Sequence, residues 1–514
     1  MKFYITTPIF YVNDAPHIGH SYTVIICDII ARWKRLNNYD VLFSTGTDEH
    51  GLKIAMAAKT NGVIPEKFCD TISMRFKKVW KLLNISHTDF IRTTEYKHFM
   101  TVQKVINILF KNGFIYKRKY SGLYCTACER FYVKKDLDEN ELCYLHKIKP
   151  IPQSEQNYFF KLSNFKTAIL ERIINFNHKE HIEIHPKERR NEIIGKLKNG
   201  IDDISFSRLS IDWGIPVPFD KTQTVYVWVD ALINYITVIG YCENSNKFKK
   251  YWPVDVHLMA KDILWFHSVI WPAILMAIGL PLPKKIYSHG FFTLNGRKMS
   301  KSLGNIISPE ELINKYGVDA TRYLIVSLVP FDSDGDISWE MLTLKYNNDL
   351  ANNLGNLLSR IIMMAKKYFV TGICYRRVIN DLKLVNDIIK IFKENFVQNM
   401  DNIQLHKAVE NLQKAITFLN KQIEIDTPWK LIKTSKTKVE IYIYSYLQAM
   451  NIIAIHLLPF MPLTATKIWH TIGTTGDINE IAKEYFFNNL SIKTELSILN
   501  TELENPNSIF PRIY

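Results

Sequence analysis

Cysteine is scarce in this sequence, with seven residues among 514. An odd and small number in so long a chain argues against a disulfide framework and indicates a reducing compartment. No uninterrupted apolar run approaches the roughly 20 residues of a membrane span, and the N-terminus lacks the basic start and cleavage site of a secretion signal. We therefore expect a globular, cytoplasmic protein with no membrane partner.

Acidic residues are the rarer charged type, 50 against 65 basic ones, which leaves a net charge of +15. Such a surplus suits a phosphate-rich partner such as a nucleic acid. Lys, Ile and Asn are abundant throughout the chain, so the surplus could equally reflect a lysine-rich proteome, and charge alone leaves both interpretations open. At a prior of roughly 150 residues per domain, the length predicts about three domains.

The N-terminal segment has the pattern of a βαβ unit. A strand is predicted over residues 3–12, a helix over about 17–35 and a second strand over 41–44. Asn13 or Asp14 is the expected helix cap. Strands that alternate with helices predict an α/β fold with a Rossmann-like parallel sheet.

The pattern changes between about residues 116 and 224, where short aromatic segments, cysteines and a charged helical stretch at 188–198 replace it. A strand-like run at 225–229, a helix at 231–240 and a strand at 256–260 then restore it. We therefore predict that an insertion splits the sheet. After Trp339 the pattern is helical almost without interruption, which predicts an all-α region.

The run His17-Ile18-Gly19-His20 stands where the first predicted strand meets the first helix. In an open α/β sheet, backbone amides and the helix dipole receive nucleotide phosphates at this place. Gly19 leaves room for a flat adenine, and the imidazoles of His17 and His20 can donate hydrogen bonds to phosphoryl oxygens as charge builds up. Four-letter motifs recur by chance, and two solvent-facing histidines are the alternative.

A second motif, K-M-S-K-S at residues 298–302, is a basic loop whose composition suits a triphosphate. It is not a P-loop, since G-x-x-x-x-G-K-[ST] does not occur there, so Lys298, Ser300 and Lys301 would hold the phosphates through their side chains. Taken alone, the motif also fits a solvated basic loop. Together with the first motif, it predicts an enzyme that activates a carboxylic acid with ATP.

The cysteine cluster has the spacing of a metal site. Cys125 and Cys128 form one knuckle-spaced pair, and Cys143 and His146 form another. Three thiolates and one imidazole are a closed tetrahedral set for Zn²⁺, of the structural rather than the catalytic kind. We expect one structural zinc ion in each chain, with coincidental cysteines as the alternative.

The order of the motifs resembles that of the methionyl-tRNA synthetases, a family of class I aminoacyl-tRNA synthetases, from about residue 2 to residue 429. The resemblance is closest to the bacterial and organellar type with a single Cys₃His knuckle. Besides the two signatures, the segments that carry it are P-I-F-Y-V-N (8–13), T-G-T-D-E-H-G (45–51), V-W-V-D-A-L (227–232), A-K-D-I-L-W-F-H (260–267) and N-L-L-S-R (356–360).

The resemblance implies a division of the chain into a Rossmann-like catalytic domain, a zinc-binding insertion and an α-helical anticodon-binding domain. The expected bounds are 1–115 and 226–280 for the two catalytic halves, 116–225 for the insertion, 281–345 for the signature-loop region that contacts the tRNA stem, 346–490 for the anticodon-binding domain and 491–514 for a tail. The insertion is too short to hold the large editing module of the Leu, Ile and Val enzymes as well, so we expect no separate editing domain. The lack of a long tRNA-binding appendage after Trp429 favours a monomer.

The resemblance also implies a methionine pocket. Asp48 matches the carboxylate that receives the substrate ammonium, and a thioether suits aromatic walls with one tyrosine hydroxyl and one imidazole. Some members of the family carry proline at the position of Leu232, so this wall of the pocket differs from theirs. Plain core packing is the alternative for Trp228, Tyr235 and Ile263. The matching apolar and aromatic positions are Ile9, Tyr11, Trp228, Ala231, Leu232, Tyr235, Ile263 and His267.

For ATP, the resemblance implies that His17 and His20 stabilise the α-phosphate region and that Lys301 holds the departing pyrophosphate, with Lys298 also among the catalytic residues and Mg²⁺ on the triphosphate. Three further residues match polar contacts around ATP and substrate, namely Arg208, Lys261 and Asp262. The acyl acceptor would be tRNA(Met), both initiator and elongator. Asn356, Arg360 and Trp429 match anticodon readers, although Trp429 after a proline is more often a packing residue.

Three alternatives remain at this point. A small-molecule nucleotidyltransferase shares the histidine signature but has no use for a zinc insertion and a helical domain. A non-catalytic tRNA-binding paralogue would not need the two histidines and two signature lysines. A class I synthetase for another amino acid would be expected to lose Tyr11, Trp228 and His267.

Overall fold

The structure is a computed structural model that describes residues 1–125, 130–132, 134, 137–144, 147–209, 212–298, 306–369, 383–490 and 509–513. The strands are β1 (Lys2–Thr6), β2 (Phe10–Tyr11), β3 (Asp40–Asp48), β4 (Asp89–Arg92), β5 (Ile115–Cys125), β6 (Arg130–Tyr132), β7 (Ile151–Phe160), β8 (Glu183–His185), β9 (Ile204–Ser205), β10 (Ser207–Arg208), β11 (Pro216–Val217), β12 (Asp220–Val225), β13 (Val256–Ala260), β14 (Lys285–His289), β15 (Phe292–Leu294), β16 (Arg297–Lys298) and β17 (Gly335–Ile337).

The helices are α1 (Ile18–Leu36), α2 (Leu52–Thr60), α3 (Pro65–Leu82), α4 (Tyr96–Lys111), α5 (Lys166–Ile174), α6 (Lys187–Lys198), α7 (Val227–Thr237), α8 (Ser245–Tyr251), α9 (Trp271–Ala277), α10 (Pro309–Tyr316), α11 (Val318–Ser327), α12 (Trp339–Lys345), α13 (Asn356–Tyr368), α14 (Lys383–Asp401), α15 (Leu405–Asp426), α16 (Pro428–Leu431), α17 (Lys436–Leu457), α18 (Pro462–Thr471) and α19 (Ile478–Phe487). Two π-helical segments lie at Phe266–Ile270 and Tyr346–Gly355. Within the described ranges, no helix is long and apolar enough to cross a membrane.

The N-terminal half is built on a parallel sheet, which has seven strands among the described residues. β3 lies between β4 on one side and β1 with β2 on the other, and β13, β14 and β8 follow beyond β1. The chain fills the positions on one side of β1 early and those on the other side later, so β1 marks a switch point. Ligands bind outside the carboxyl ends of the strands at such a point. The predicted α/β class with a parallel sheet is confirmed.

β1 and β2 are two stretches of one interrupted strand. Both lie on the same edge of β3, because β4 occupies the other edge over residues 44–47. Thr6 pairs with Ser44 and Phe10 pairs with Thr47, so one residue bulges out between the two stretches. The prediction of a continuous strand over residues 3–12 is wrong, and the break falls at Pro8, which has no N–H to donate.

The interval 116–225 contributes to more than one sheet. It contains two antiparallel sheets, with the strand orders β6-β5-β7-β9 and β10-β12-β11. Its strand β8 instead pairs in parallel with β14 of the main sheet, where Ile184 lies beside Ile286. Ile169 of α5 and Ile193 of α6 belong to the same buried cluster as Ile286. The insertion and the main sheet therefore share one core.

The C-terminal half is helical, and its first long apolar stripe is buried at Leu350, Leu354, Leu357, Leu358, Ile361 and Ile362. Residues 509–513 return to this region. The hydroxyl of Tyr346 donates to the carbonyl of Pro511 over 3.0 Å, and the ring of Phe510 packs edge-on against Tyr346. This part of the predicted tail is thus packed against the bundle.

Arg322 of α11 joins the two halves. Its guanidinium is fully buried and forms an ion pair with Asp28 of α1, with 2.7 Å between Nη2 and Oδ2. The same guanidinium donates to the carbonyls of Leu83, Pro459 and Phe460. A buried charge is tolerated when it is paired and fully hydrogen-bonded. The helix that begins at the first signature is therefore fixed to the helical region through one side chain.

Candidate active site

The first signature forms the beginning of α1. His17 is the N-cap residue: its Nδ1 accepts a hydrogen bond from the backbone N–H of Gly19 over 3.0 Å, and the Nδ1 of His20 accepts from the backbone N–H of His17 over 3.2 Å. The two side chains thus form a capping box made of imidazoles. The predicted caps Asn13 and Asp14 are wrong. Imidazole Nδ1 supplies the acceptor that a Ser or Asp oxygen usually provides.

These two hydrogen bonds determine where the imidazole protons lie. A ring whose Nδ1 accepts carries its proton on Nε2, so both neutral rings keep an N–H donor for another partner. Burial lowers the pKa of His17 to about 4, and burial together with the neighbouring His17 lowers the pKa of His20 well below its usual value. Near pH 7 both histidines are therefore neutral Nε2–H donors.

Gly19 is required at its position for steric reasons. A Cβ there would lie 2.9 Å from Cε1 of His17, so any side chain would displace the capping ring. The predicted role of Gly19, to give an adenine access to the backbone, is compatible with this contact. The contact adds a second reason for glycine, which the spacing of the motif alone did not reveal.

The chain just after the second signature is attached to the first signature. Ser300 and Lys301 lie outside the described residues, and Lys298 is described only as the backbone end of β16, which pairs with β15. On the far side of the motif, the carbonyl of Ile307 accepts a hydrogen bond from the backbone N–H of Ile18 over 3.1 Å. One end of the second signature region is therefore attached to the first turn of α1.

A side-chain contact connects the same two regions. The Nδ1–H of His289, at the end of β14, donates to the carbonyl of Gly290 over 2.7 Å, so its Nε2 accepts from the hydroxyl of Thr23 in α1 over 2.8 Å. The ring of Tyr22 packs edge-on against the ring of His289. The strand that leads into the second signature is thereby held against the helix of the first.

The loop after β3 is held rigidly by Glu49, a residue that the sequence reasoning missed. Its buried carboxylate receives both Nε and Nη2 of Arg92, at 2.7 and 2.9 Å, and the hydroxyls of Thr47 and Thr94. The indole N–H of Trp213 donates to the Glu49 carbonyl. The neighbouring Asp48, which is also buried, is therefore presented from a fixed backbone. The position of Glu49 within the T-G-T-D-E-H-G motif is the sequence signal that could have indicated these contacts.

Two groups of predicted methionine-binding residues come together in the structure. Tyr11 is the register partner of Asp48, so their Cα atoms are neighbours across β2 and β3. A second group lies around α7, where the half-buried Trp228 stacks on Phe266 with 4.1 Å between ring centroids. Ala231 is buried on the same helix. Ile9, Tyr11, Trp228 and Ile263 are half-buried and pack against one buried cluster that includes Leu232 and Tyr235.

Tyr235 and His267 form a defined hydrogen-bonded pair inside this region. The Nδ1–H of His267 donates to the carbonyl of Ile263 over 3.0 Å, so its Nε2 accepts from the hydroxyl of Tyr235 over 2.7 Å. Burial lowers the pKa of His267 to about 4, which keeps the ring neutral near pH 7. A neutral and mostly apolar environment of this kind suits a thioether.

The local structure at residues 225–229 differs from the prediction. β12 ends at Val225, and α7 begins at Val227, so Trp228 lies in the first turn of a helix instead of on a strand. The run Val-Trp-Val favours strands, but α7 is buried on nearly every side, and tertiary packing outweighs that propensity. The sequence reasoning also missed Asp230, which lies fully buried in the same turn between His50 and His98.

Three predicted polar contacts already have protein partners. Lys261 forms an ion pair with Asp334 over 2.6 Å, while Asp262 beside it is exposed. Arg208 is buried in β10, where its Nη1 donates to the carbonyl of Ser207 and the guanidinium lies over the ring of Tyr226 at 4.0 Å.

Two of the four predicted zinc ligands, Cys128 and His146, lie outside the described residues. The other two, Cys125 and Cys143, are fully buried and belong to one small cluster with Tyr132 and Leu137. The backbone N–H of Lys147 donates to the Cys143 carbonyl, which closes a tight turn after this cysteine. Within the described part of the chain, no three potential ligands form a metal-binding group. Two buried thiols in one cluster are the donors that a Cys₃His site needs.

The predicted anticodon readers lie on neighbouring helices. The guanidinium of Arg360 on α13 lies 4.9 Å from the centre of the Trp429 ring on α16 and forms an ion pair with Glu424. Asn356 is exposed one turn earlier on α13. Trp429 is half-buried and packs against the helical core, so it is partly a packing residue as well.

Known proteins resemble this chain over its whole length. A family model described as "tRNA synthetases class I (M)" matches residues 3–140 and 133–362, and one described as "Anticodon binding domain of methionyl tRNA ligase" matches residues 378–507. The methionine–tRNA ligase of Caldanaerobacter subterraneus is 43% identical over 519 residues, which cover 99% of this chain and 79% of that protein. The methionine–tRNA ligase of Rickettsia conorii is 39% identical, with 99% of both proteins covered.

A solved structure has the same architecture. Mycobacterium tuberculosis methionyl-tRNA synthetase in complex with methionyl-adenylate superposes on this chain with a TM-score of 0.90 at 36% identity, and 100% of each chain is covered. The free form of the same protein superposes with a TM-score of 0.84. The similarity therefore extends through the sheet, the insertion and the helical region.

Proposed function

The chain belongs to the methionyl-tRNA synthetase family of class I aminoacyl-tRNA synthetases, and from that premise we propose which of its residues carry the reaction. It activates methionine with ATP and transfers the methionyl group to tRNA. In the first step the methionine carboxylate attacks the α-phosphorus in line, an oxygen–phosphorus bond forms, and pyrophosphate leaves with the electrons of the broken bond. The tRNA 3′-terminal hydroxyl then takes the acyl group, and AMP leaves.

The single observation that carries this assignment is the hydrogen bond between Ile18 and Ile307, which joins the two signature regions at the first turn of α1. In our proposal the neutral Nε2–H groups of His17 and His20 donate to oxygens around the α-phosphate. Lys298, Ser300 and Lys301 hold the pyrophosphate side. Positioned donors of this kind stabilise developing charge without rearranging, and no protein nucleophile is needed.

Mg²⁺ would accompany the triphosphate and neutralise part of its charge. The supporting roles of Arg208, Lys261 and Asp262 remain proposals. Because Lys261 is paired with Asp334 and Arg208 with the Ser207 carbonyl, we expect Lys261 to exchange its partner when ATP binds and Arg208 to act through the loop that it holds.

We propose that the methionine side chain lies between Trp228 and the Tyr235–His267 pair, and that the ammonium group binds at Asp48. Ile9, Ala231, Leu232 and Ile263 complete the apolar walls, and Tyr11 borders the ammonium end. The half-buried state of Trp228 and Tyr11 supports this arrangement, because large apolar side chains that are only partly covered border a space that a ligand can fill. Removing one methylene from the ligand costs roughly 1 to 3 kcal/mol, so homocysteine should compete.

In the insertion, Cys125, Cys128, Cys143 and His146 would hold one Zn²⁺. The ion would supply folding energy to a loop region with few buried apolar residues. In the helical domain, Asn356, Arg360 and Trp429 would read the anticodon of initiator and elongator tRNA(Met). A monomeric state in the cytoplasm remains part of the proposal.

The test is amino-acid-dependent exchange between ATP and pyrophosphate with each of the twenty amino acids. We expect methionine alone to support exchange. Trp228→Ala should raise the methionine KM by about tenfold or more and leave the ATP KM nearly unchanged, since a buried aromatic contact is worth a few kcal/mol. Exchange with another amino acid, or equal effects on both KM values, would contradict the proposed pocket.

A further inference from the structure

A fully buried carboxylate lies between two histidines beside the proposed methionine pocket. The Oδ1 of Asp230 is 2.7 Å from Nε2 of His98, and its Oδ2 is 2.7 Å from Nδ1 of His50. Asp230 and His98 have no exposed surface, and His50 is 8% exposed. The mechanism described above uses none of these three groups.

The hydrogen bonds determine which groups of this cluster donate to the carboxylate. The Nδ1 of His98 lies 3.1 Å from the hydroxyl of Thr237, which is also 3.0 Å from the carbonyl of Ile233. The other ring nitrogen faces the carboxylate of Asp230, which only accepts when it is ionised. Burial would raise the pKa of Asp230, but the two imidazoles outweigh burial and hold that pKa at about 2. Both histidines therefore donate to the Asp230 carboxylate, His98 through Nε2 and His50 through Nδ1.

Each member of this ionic cluster belongs to a different part of the site. Asp230 lies in the first turn of α7, next to Ala231 and two residues after Trp228. His50 follows Asp48 by two positions in the loop after β3, and its ring also packs edge-on against Trp213. His98 lies on α4, which packs against α7. The cluster thus joins the helix of the methionine side-chain pocket to the loop of the ammonium site.

We propose that Asp230 is a positioning residue for methionine: through His50 and His98 it sets the distance between the thioether end of the pocket and Asp48. It does not contact the substrate in this arrangement. Asp230 affects the affinity for methionine because the substrate must reach the thioether end of the pocket and Asp48 at the same time. A shift of about 1 Å between these two sites weakens both contacts. ATP binds at the first turn of α1 and should be insensitive to the cluster.

The inference rests on the proposed methionine pocket, and the experiment separates the two. Asp230→Asn keeps the shape of the side chain but removes its charge. The amide has only one oxygen, so it cannot accept hydrogen bonds from both histidines. In ATP–pyrophosphate exchange with the full-length enzyme, we expect the methionine KM to rise about tenfold or more, kcat to change less, and the ATP KM to stay within about twofold. His50→Ala should raise the methionine KM in the same direction, and it provides the test if Asp230→Asn does not fold.

A matched control is Asp255→Asn. Asp255 is another buried carboxylate that two side chains hold, Lys2 at 3.0 Å and Lys284 at 2.7 Å. It precedes β13 and therefore lies at the amino edge of the sheet, opposite the site. Its loss should lower the thermal unfolding midpoint without changing the methionine KM. A rise in methionine KM as large as that of Asp230→Asn would show a general stability effect and overturn the inference.

Rescue by a neutral pair gives a second readout. His98→Gln alone replaces one imidazole donor of the Asp230 carboxylate by a more flexible amide and should also raise the methionine KM. In the double variant with Asp230→Asn, the amide of the introduced Gln can donate to the amide oxygen of the introduced Asn. We therefore expect the methionine KM of the double variant to fall below that of either single variant. An unchanged methionine KM in folded Asp230→Asn would sink the inference. If Trp228→Ala also leaves that KM unchanged, the proposed pocket itself has failed.

Discussion

The ring of His17 stacks on the ring of His20 with 3.8 Å between their centroids. Two imidazolium ions at this distance would repel each other, and burial already disfavours the charged form of each. The backbone groups of the first helical turn hold both rings in the tautomer that donates through Nε2. Helix capping thus uses one side of each ring, and the proposed catalytic role uses the opposite side.

This division of labour predicts an unusual result for His20→Asn. The Asn oxygen can replace Nδ1 as the acceptor for the His17 N–H, so thermal stability should be nearly unchanged, while the Nε2–H donor is lost. We expect kcat for ATP–pyrophosphate exchange to fall by roughly 10² to 10³. His20→Ala should lose a similar factor and also about 1 kcal/mol of stability, because its cap is gone. An Asn variant with full activity would refute the donor role.

The buried histidines predict that acid destabilises the protein. Burial lowers the pKa to about 4 for His267 and His289 and to about 3 for His456. Below the ordinary histidine pKa of about 6.5, the unfolded chain takes up protons that the folded one does not. The free energy of unfolding should therefore be highest above this pH and fall as the pH drops toward 4.

His456→Gln tests this contribution at a position in the helical domain. The variant should be less stable at neutral pH, because His456 stacks on Phe392. Between about pH 7 and pH 4.5, however, its free energy of unfolding should fall by about 2 kcal/mol less than that of the parent. Urea unfolding followed by fluorescence at the two pH values measures the difference. Parallel losses in both proteins would mean that His456 does not titrate as described.

The buried ion pair of Arg322 predicts strong coupling between two residues. Arg322→Met leaves the Asp28 charge buried with fewer partners and should cost roughly 3 to 5 kcal/mol. Changing Asp28→Asn in the same chain removes that charge, so the double variant should be more stable than Arg322→Met alone. A double-mutant cycle by urea unfolding measures the coupling, and additive effects would show that the two side chains are independent.

The zinc proposal predicts a stoichiometry. Metal analysis of the purified protein should find about one zinc ion per chain, and Cys125→Ser combined with Cys128→Ser should remove it. Cys69→Ser is the matched control, because Cys69 is also buried but lies in α3, away from the knuckle. Zinc that persists in the double variant would contradict the assignment of these ligands.

The anticodon proposal predicts that a substitution at Trp429 affects the transfer to tRNA but not the activation of methionine. Trp429→Ala should leave ATP–pyrophosphate exchange unchanged and lower kcat/KM for tRNA in aminoacylation by about tenfold or more, since stacking of a base is worth roughly 1 to 3 kcal/mol. Trp429→Phe should retain most of the activity. The exposed Phe487 provides a control, because Phe487→Ala should affect neither step. Equal losses in exchange and aminoacylation would indicate a folding defect instead.

The sequence predicted the elements whose pattern is local. The periodic apolar residues of α1 and of residues 350–362 are buried as expected, and the strand at 256–260 is found unchanged. The ordered motifs predicted the family, which the comparisons confirm. Such features follow from side-chain spacing along one element, which a single sequence contains.

Features that depend on contacts distant in sequence could not be predicted. The run at 225–229 has strand propensity, but its surroundings make residues 227–229 the start of a helix. His50, His98 and Asp230 are 180 residues apart at most in the chain, and nothing in their local patterns indicates that they meet. The capping role of His17 was missed for another reason: cap rules derived from Ser, Thr, Asp and Asn do not include imidazole.

The pairing of β8 with β14 has a mechanical consequence. A domain inserted through two chain crossings can rotate about the axis through those crossings. Here the interval 116–225 also contributes a strand to the sheet of its host, with Glu183, Ile184 and His185 in register with residues 285–287. Any such rotation would have to break this register, so the parallel sheet fixes the orientation in which the insertion is presented to a substrate as large as tRNA.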